Sequence, residues 1–445
     1  MTTNARGNTM PSYRIIGGEK LTGEVSISGS KNAVLGILAA AMMLDGPCIL
    51  ENVPDIADVQ AMLEICETLG SIITPLGEGM YKIDPTTINT HEATHDKVKN
   101  IRASYYLLGA LLSKYKKATM HMPGGCNFGT RPIDLHLKGF SKLGAKGTEL
   151  SNIRNGIIRI VADKLVGSHI FLDVVSVGAT INIMLAATKA DGWTTIENAA
   201  KEPHIVDVAN FLNAMGANIK GAGTDTIRIK GVPVLPGGYS YSIIPDQIEA
   251  GTYMIAAAVT RGDVTIRNLI PKHMEPLTAK LLEMGFDVDE SDDAIRVSAA
   301  DSLTVLPVNF KTMPYPGFPT DLQPQATVLL CIADGLSRMH ENVWDNRFQY
   351  VSELQTMGAD ISIIDRIALV TGPTPLHGSS VVAMDLRAGA AMILAGLAAD
   401  GVTEISEAQR IERGYEKIVE KLTALGAKIV RMEDTELTCS RPVVE

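Results

Sequence analysis

With 445 residues, 46% of them hydrophobic and 20% charged, the chain has the composition of a folded globular protein, with length for about three ordinary domains. A formal net charge of −10 and the lack of any dense Lys/Arg block argue against nucleic-acid wrapping. The five cysteines (Cys48, Cys66, Cys126, Cys331 and Cys439) are scattered and odd in number, which argues against a disulfide framework and fits a reducing compartment. The first 14 residues have no apolar core of the signal-peptide kind, and the longest apolar run, near Ala33–Leu44, is too short to span a bilayer, so a cytoplasmic protein is expected. Aromatics are only 5%, against 40 glycines and 19 methionines, so the core is expected to be aliphatic and alanine-rich.

In chain order, one pattern recurs. A charged, amphipathic helix ends in an apolar residue, then glycine, then a β-like run, at Leu69-Gly70, Leu143-Gly144, Met215-Gly216, Met284-Gly285, Met357-Gly358 and Leu425-Gly426. The spacing is roughly 70 residues, and each glycine is placed to cap its helix in the left-handed conformation. Before each capped helix lies another that is apolar nearly all round: Ala33–Leu44, Ala103–Tyr115, Ala179–Lys189, Ala250–Thr260, Gln325–Ala333 and Ala388–Ala399. Such helices are buried. Six of them cannot share one small core, so two groups of three, each ringed by sheet, are expected, with a cleft between two domains. The Pro233–Gly238 stretch marks the boundary after the third repeat, giving 31–239 as one domain and 1–30 with 240–445 as the other.

An acidic protein that binds an anion must gather positive charge locally. Lys31, Arg102 and Arg387 fall where buried helices start, as do Ser176-Val177-Gly178 and Asp321. A cation there opposes the helix dipole by roughly 0.3–1 kcal/mol unless an anion is bound beside both.

Met122-Pro-Gly-Gly-Cys126-Asn-Phe-Gly129-Thr-Arg131-Pro132 is the most informative loop. Its glycines let backbone approach a ligand and suit a lid, and Arg131 near Cys126 would lower the thiol pKa. Asp321, in Tyr315-Pro-Gly-Phe-Pro-Thr-Asp321, reads either as a helix N-cap or as a carboxylate that orients or deprotonates a hydroxyl. Arg413, in Glu412-Arg-Gly-Tyr-Glu416, either pairs with its glutamate neighbours or joins the anion site.

Several of these segments together resemble the UDP-N-acetylglucosamine 1-carboxyvinyltransferase family. They are Gly29-Ser-Lys31-Asn32-Ala33, the Gly-Gly-Cys126 loop running into Arg131-Pro132-Ile133-Asp134-Leu135-His136, Asp173-Val-Val-Ser176-Val-Gly-Ala-Thr, and Glu197-Asn-Ala-Ala-Lys-Glu202-Pro. Further on come the Asp321 segment, Asp345-Asn-Arg347-Phe, Asp385-Leu-Arg387 and Arg413-Gly-Tyr-Glu. The match runs from about Ile15 to Ile429. The resemblance implies an α/β fold, a two-domain inside-out α/β barrel of six repeats, with the N-terminal strand closing the domain of the last three. It implies that Lys31, Asn32, Arg131, Arg387 and Arg413 bind phosphoenolpyruvate and that Cys126 is the proton donor and the target of fosfomycin. Arg102, Arg131, Pro132, Ile133, Asp134, Leu135, Ser176, Val177, Gly178, Asp321 and Val343 would bind UDP-N-acetylglucosamine, with Cys126, Asp321, Lys31 and Arg413 as the catalytic set. No metal or cofactor, nucleic acid or membrane is implied. Two departures stand out: Val174 where the family commonly has lysine, and His204 where an acidic residue is common. Both bear on nucleotide affinity.

Rival readings are a shikimate-pathway enolpyruvyl transferase, which normally has Gly-Ser-Lys-Ser where this chain has Asn32, and a non-enzymatic clamp-like ring of six repeats. The ring leaves Lys31, Cys126 and Asp321 unexplained.

Overall fold

Among the described residues the chain forms twelve α-helices in chain order: α1 (Lys31–Ala41), α2 (Ala57–Thr68), α3 (Tyr106–Tyr115), α4 (Asp134–Lys142), α5 (Val177–Ala187) and α6 (Pro203–Ala214), then α7 (Gln247–Val259), α8 (Glu275–Met284), α9 (Gln323–Cys331), α10 (Val351–Thr356), α11 (Leu386–Ala398) and α12 (Ile418–Ala424). The computed structural model describes residues 11–99, 101–122, 133–150, 153 and 156–433. The odd-numbered helices are the apolar ones, and nearly every residue in them is buried. The even-numbered helices bury one face only. The second buried helix, α3, starts at Tyr106 rather than Ala103, because Arg102–Tyr105 forms a 3-10 turn.

All six repeat glycines adopt positive φ: 100° at Gly70, 96° at Gly144, 106° at Gly216, 96° at Gly285, 98° at Gly358 and 100° at Gly426. The residue after each glycine donates its N–H to the carbonyl five positions back, as Ser71 does to Cys66, Phe286 to Leu281 and Ala427 to Leu422. This double-bonded cap turns each even helix into the next strand. A second repeated device was invisible in the periodicity. Asn52, Asn198 and Asn268 take φ of 56°, 55° and 56°, and each donates its side-chain amide to the carbonyl just past the neighbouring parallel strand, on Ile243, Leu172 and Ile27. Asparagine tolerates the left-handed region and supplies the bond that holds it there.

The strands make six separate open sheets, five of four strands and one of three, and among the described residues no ladder closes a barrel. The chain divides into two compact units. One comprises Ser28–Asp246 with Pro314–Pro316, and the other the chain up to Ile27, Gln247–Met313 and everything from Gly317 on. The crossing thus lies at 246/247, not at 239/240, because the strand Ser240–Ser242 after the Pro/Gly stretch still pairs in parallel with Cys48–Glu51 of the first repeat. Each unit has its own apolar core, one built on α1, α3 and α5, the other on α7, α9 and α11. The N-terminal strand Ser12–Ile16 lies between Val402–Ser406 and Lys428–Met432, antiparallel to both, and Thr22–Ser26 pairs in parallel with Asp263–Arg267. The start of the chain therefore completes two sheets of the unit that holds the last three repeats. No helix is long and apolar enough to cross a membrane among the described residues.

Gly426 tests the cap without a packing complication, since a Cβ built there meets only the Lys20 carbonyl oxygen at 3.8 Å. Gly426→Ala is expected to destabilise the protein by about 1–2 kcal/mol through left-handed backbone strain alone, and Gly426→Asn by less. Denaturant midpoints of the three proteins check this order.

Candidate active site

In the unit of the first three repeats, α1 starts at Lys31. Ser30 caps it, its hydroxyl accepting from Ala33 N–H at 3.4 Å, and the Asp246 carboxylate accepts from Lys31 N–H at 2.9 Å. The Lys31 ammonium lies 2.7 Å from the Asp58 carboxylate, both side chains being mostly buried. A carboxylate on α2 thus already meets the cation that the sequence set against the helix dipole. Asp58 was not singled out, because nothing local in the sequence links positions 31 and 58. Asn32 follows, half-buried, in the first turn.

Arg102 heads the 3-10 turn before α3, and its guanidinium lies 5.8 Å from the centre of the Tyr105 ring. Burial disfavours the protonated form of Arg102, although guanidinium stays charged at neutral pH. The Tyr105 ring stands edge-on to His136 at 4.8 Å. Asn182 of α5 ties this corner together. Its amide oxygen accepts from Gly109 N–H at 2.8 Å, which fixes the orientation of the amide. Its NH2 then donates to the Tyr105 carbonyl at 2.8 Å and faces His136 Nδ1 at 3.0 Å. The Asn182 side chain is inserted across the Gly109-to-Tyr105 step, where the 3-10 turn passes into helix. His136 Nδ1 must therefore accept, so the imidazole is neutral, and burial followed by Arg102 pushes its pKa down to about 3.

Ser176 caps α5, its hydroxyl accepting from Ala179 N–H at 3.3 Å, with Val177 and Gly178 in the first turn. A Cβ at Gly178 would stand 2.5 Å from the Tyr105 hydroxyl and 3.0 Å from His136 Cε1, so glycine there makes room for both rings. Buried Ile133 and then Asp134 and Leu135 open α4, the helix that carries His136. The sequence-named Arg102, Ile133–Leu135 and Ser176–Gly178 thus gather at one corner. Cys126, Arg131 and Pro132 lie outside the described residues. Val174 is exposed and His204 buried.

In the other unit, Asp321 sits in the 3-10 turn Thr320–Leu322 that leads into α9. It is not a helix cap: its carboxylate faces Arg387, accepting from Nη2 at 3.0 Å and Nε at 3.3 Å, and accepts from Arg347 Nη2 at 3.4 Å. Arg387 is 4% and Arg347 3% exposed, whereas about a third of the Asp321 side chain remains open. Arg387 stands in the first turn of α11, capped by Asp385, and lies 5.6 Å from the centre of the Tyr415 ring. Arg413 is half-buried two residues before Tyr415, and Val343 is partly exposed after the strand Gly335–His340. Arg347 is the functional candidate that residue-by-residue reading passed over. Its signal was the segment Asp345-Asn-Arg347-Phe, noted only as part of the resemblance. Among the described residues no cluster of His, Cys, Asp and Glu could hold a metal ion.

Comparison with known proteins shows what the chain is similar to. The family model for EPSP synthase (3-phosphoshikimate 1-carboxyvinyltransferase) matches residues 15–422. The enolpyruvyl transferase NikO from Streptomyces tendae superposes with a TM-score of 0.86 at 29% identity, covering 95% of this chain and 99% of that one. An EPSP synthase from Acinetobacter baumannii superposes with a TM-score of 0.72 at 19% identity over 95% of this chain and 100% of that one, a likeness of fold alone. Family model and fold thus define a transferase of the carboxyvinyltransferase class. The UDP-N-acetylglucosamine 1-carboxyvinyltransferase 3 of Caldanaerobacter subterraneus is 54% identical over 96% of this chain and 100% of its own. The UDP-N-acetylglucosamine 1-carboxyvinyltransferase of Clostridium botulinum is 53% identical over 95% of this chain and 100% of its own. The chain belongs to the UDP-N-acetylglucosamine 1-carboxyvinyltransferase family.

The neutral state of His136 makes stability pH-dependent. Its folded pKa of about 3 lies below the ordinary 6.5, so the folded state resists protonation that the unfolded chain accepts. The His136 contribution is complete above pH 6.5 and is lost progressively as pH falls from there toward 3. Thermal melts between pH 7 and 4 should show the wild type losing stability faster than His136→Gln.

Proposed function

We propose that the protein transfers the enolpyruvyl group of phosphoenolpyruvate to the 3′-hydroxyl of UDP-N-acetylglucosamine and releases phosphate, the first committed step of peptidoglycan synthesis. The reaction takes place in the cytoplasm and needs no metal or cofactor. The observation that carries this reading is Asp321, held by two buried guanidiniums yet open on one side, in a chain whose full-length relatives bear that activity in their names.

The chemistry has three requirements. The methylene carbon of phosphoenolpyruvate takes a proton, the neighbouring carbon is attacked by the sugar oxygen as that hydroxyl loses its proton, and phosphate then leaves with a proton from the methyl group. Cys126 is the proton donor in this scheme. Asp321 orients or deprotonates the hydroxyl, for which a partly exposed carboxylate is suited. Lys31, Asn32, Arg131, Arg387 and Arg413 hold phosphoenolpyruvate and meet its phosphate and carboxylate charge, which is electrostatic stabilisation by groups already in place. Arg102, Arg131, Pro132, Ile133, Asp134, Leu135, Ser176, Val177, Gly178, Asp321 and Val343 hold the sugar nucleotide. Asn32 and Cys126 favour this acceptor over shikimate 3-phosphate. A phosphate-release assay tests the reading: release should require phosphoenolpyruvate with UDP-N-acetylglucosamine, and shikimate 3-phosphate should not replace the sugar.

Asp321→Asn keeps size and shape, so a lost carboxylate should show mainly in turnover, with kcat lower by about 10²–10⁴-fold. An Asn variant within a few-fold of wild type in steady-state assay would leave Asp321 only a bracing role for Arg347 and Arg387.

Thiol chemistry offers an independent check. Burial pushes the thiols of Cys48, Cys66 and Cys331 up to about 12, which makes them poor nucleophiles. Fosfomycin, a small epoxide bearing a phosphonate, should add once, at Cys126 and not at these three or at Cys439, and abolish turnover, because its phosphonate holds the ring near the Cys126 sulfur. Cys126→Asp should escape alkylation and keep a proton donor, while Cys126→Ser should escape but turn over poorly. Intact mass with peptide mapping decides it; an adduct on another cysteine, or full activity with Cys126 modified, contradicts the assignment.

A further inference from the structure

Glu341 is 1% exposed and follows the strand Gly335–His340. Its carboxylate collects four hydrogen bonds. One oxygen accepts from the Thr312 hydroxyl at 2.9 Å, from Val343 N–H at 2.7 Å and from Trp344 N–H at 3.0 Å, and the other accepts from the Thr320 hydroxyl at 2.9 Å. The Thr312 hydroxyl oxygen in turn accepts from Asn342 N–H at 2.9 Å. The partners come from three places: Thr312 just past the strand Asn309–Lys311, the Thr320–Leu322 turn that presents Asp321, and the Asn342–Trp344 segment that contains Val343.

A carboxylate is an expensive group to bury, and four donors are what make it tolerable. An apolar side chain would fill the same volume without that cost but could not tie these segments together. Two partly exposed residues of the tied segments, Asp321 beside Thr320 and Val343, are assigned above to the sugar nucleotide. The carboxylate itself is sealed beneath them.

We propose that Glu341 is a positioning residue for the transfer reaction, a buried brace that fixes the Asp321 turn relative to the Val343 segment and so sets the sugar hydroxyl against its acceptor. The inference rests on the function proposed above. It adds a residue that touches neither substrate, and it predicts an uneven kinetic signature. Loss of the whole brace should affect the sugar nucleotide far more than phosphoenolpyruvate, whereas cutting only the Thr320 strut should disturb the Asp321 end and leave the Val343 end in place.

The test compares full-length wild type with Glu341→Leu, Glu341→Gln and Thr320→Val by phosphate release under varied concentrations of each substrate. Turnover by the wild type with both substrates establishes the underlying reading; its absence overturns that reading before the brace is examined. Given an active wild type, Glu341→Leu should lower kcat by about 100-fold and raise KM for UDP-N-acetylglucosamine by about tenfold, with KM for phosphoenolpyruvate within about twofold. Glu341→Gln should recover most of both, because its amide oxygen can take the three donors of one carboxylate oxygen while its NH2 donates to the Thr320 oxygen. Thr320→Val should lower kcat by about tenfold with little change in either KM. If Glu341→Leu fails to fold, as circular dichroism would report, Thr320→Val carries the decision. A folded Thr320→Val with wild-type kcat, a Gln variant as impaired as Leu, or both KM values rising together overturns the brace.

Discussion

A guanidinium taken out of water must meet an acceptor, and in the unit of the last three repeats two of them meet the same one. Arg347 and Arg387 both point at Asp321. Stripping a charge of its hydration costs several kcal/mol even after relaxation, so such side chains persist only where geometry and hydrogen bonds compensate. The position of Asp321 is accordingly set by the two cations behind it as well as by its own turn. Arg387 is fixed in turn by the Asp385 cap beneath its backbone and by the Tyr415 ring beside its head group. The Tyr415 hydroxyl lies 2.9 Å from that of Thr252 on α7 and accepts from the Gln325 amide of α9 at 3.1 Å. Three buried helices thus converge, through one tyrosine and one arginine, on a single half-open carboxylate.

The unit of the first three repeats meets the same difficulty, polar groups at the starts of buried helices, with different chemistry. Ser30, Ser176 and Asp385 stand at equivalent places in the first, third and sixth repeats, and each accepts from the backbone N–H three residues on. Such a cap satisfies donors that the helix cannot satisfy itself. With the backbone provided for, the adjacent side chains can meet other groups, as Lys31 meets Asp58 and Arg387 meets Asp321. Where the second repeat has no such cap, the Asn182 amide supplies the bonds from a neighbouring helix and holds Tyr105 and neutral His136 in one arrangement.

This division explains what could be read from the sequence and what could not. The six glycine caps, the six apolar helices and the grouping into threes were legible because each depends on residues a few positions apart. So was the place of Lys31 and Arg387 at helix starts, while Arg102 heads the 3-10 turn that precedes α3. Three things were not: the Asp58 partner of Lys31, the Arg347 partner of Asp321, and the turn that makes Asp321 a receiver of two guanidiniums instead of a cap. All three are contacts across 26 residues or more, and one sequence carries no local mark of such pairings. The domain crossing was misplaced for a related reason. A Pro/Gly stretch announces a turn, but only the pairing of Ser240–Ser242 with Cys48–Glu51 decides to which side the following strand belongs.

The alanine- and glycine-rich composition of the buried helices bears on chemistry as well as packing. A Cβ at Gly109 would stand 2.3 Å from the Asn182 carbonyl oxygen, and one at Gly251 would stand 2.5 Å from a methyl of Leu322. Contacts that close leave no slack, because protein interiors are packed to crystal-like density and pass strain on to their neighbours. Asn182 is the residue that orients His136 and the Tyr105 carbonyl, and Leu322 is the residue after Asp321. In each unit, therefore, a close approach that only glycine allows lies at or next to a residue that positions groups of the proposed site. A methyl group added there would act on the site by moving Asn182 or the Asp321 turn before it acted on the core.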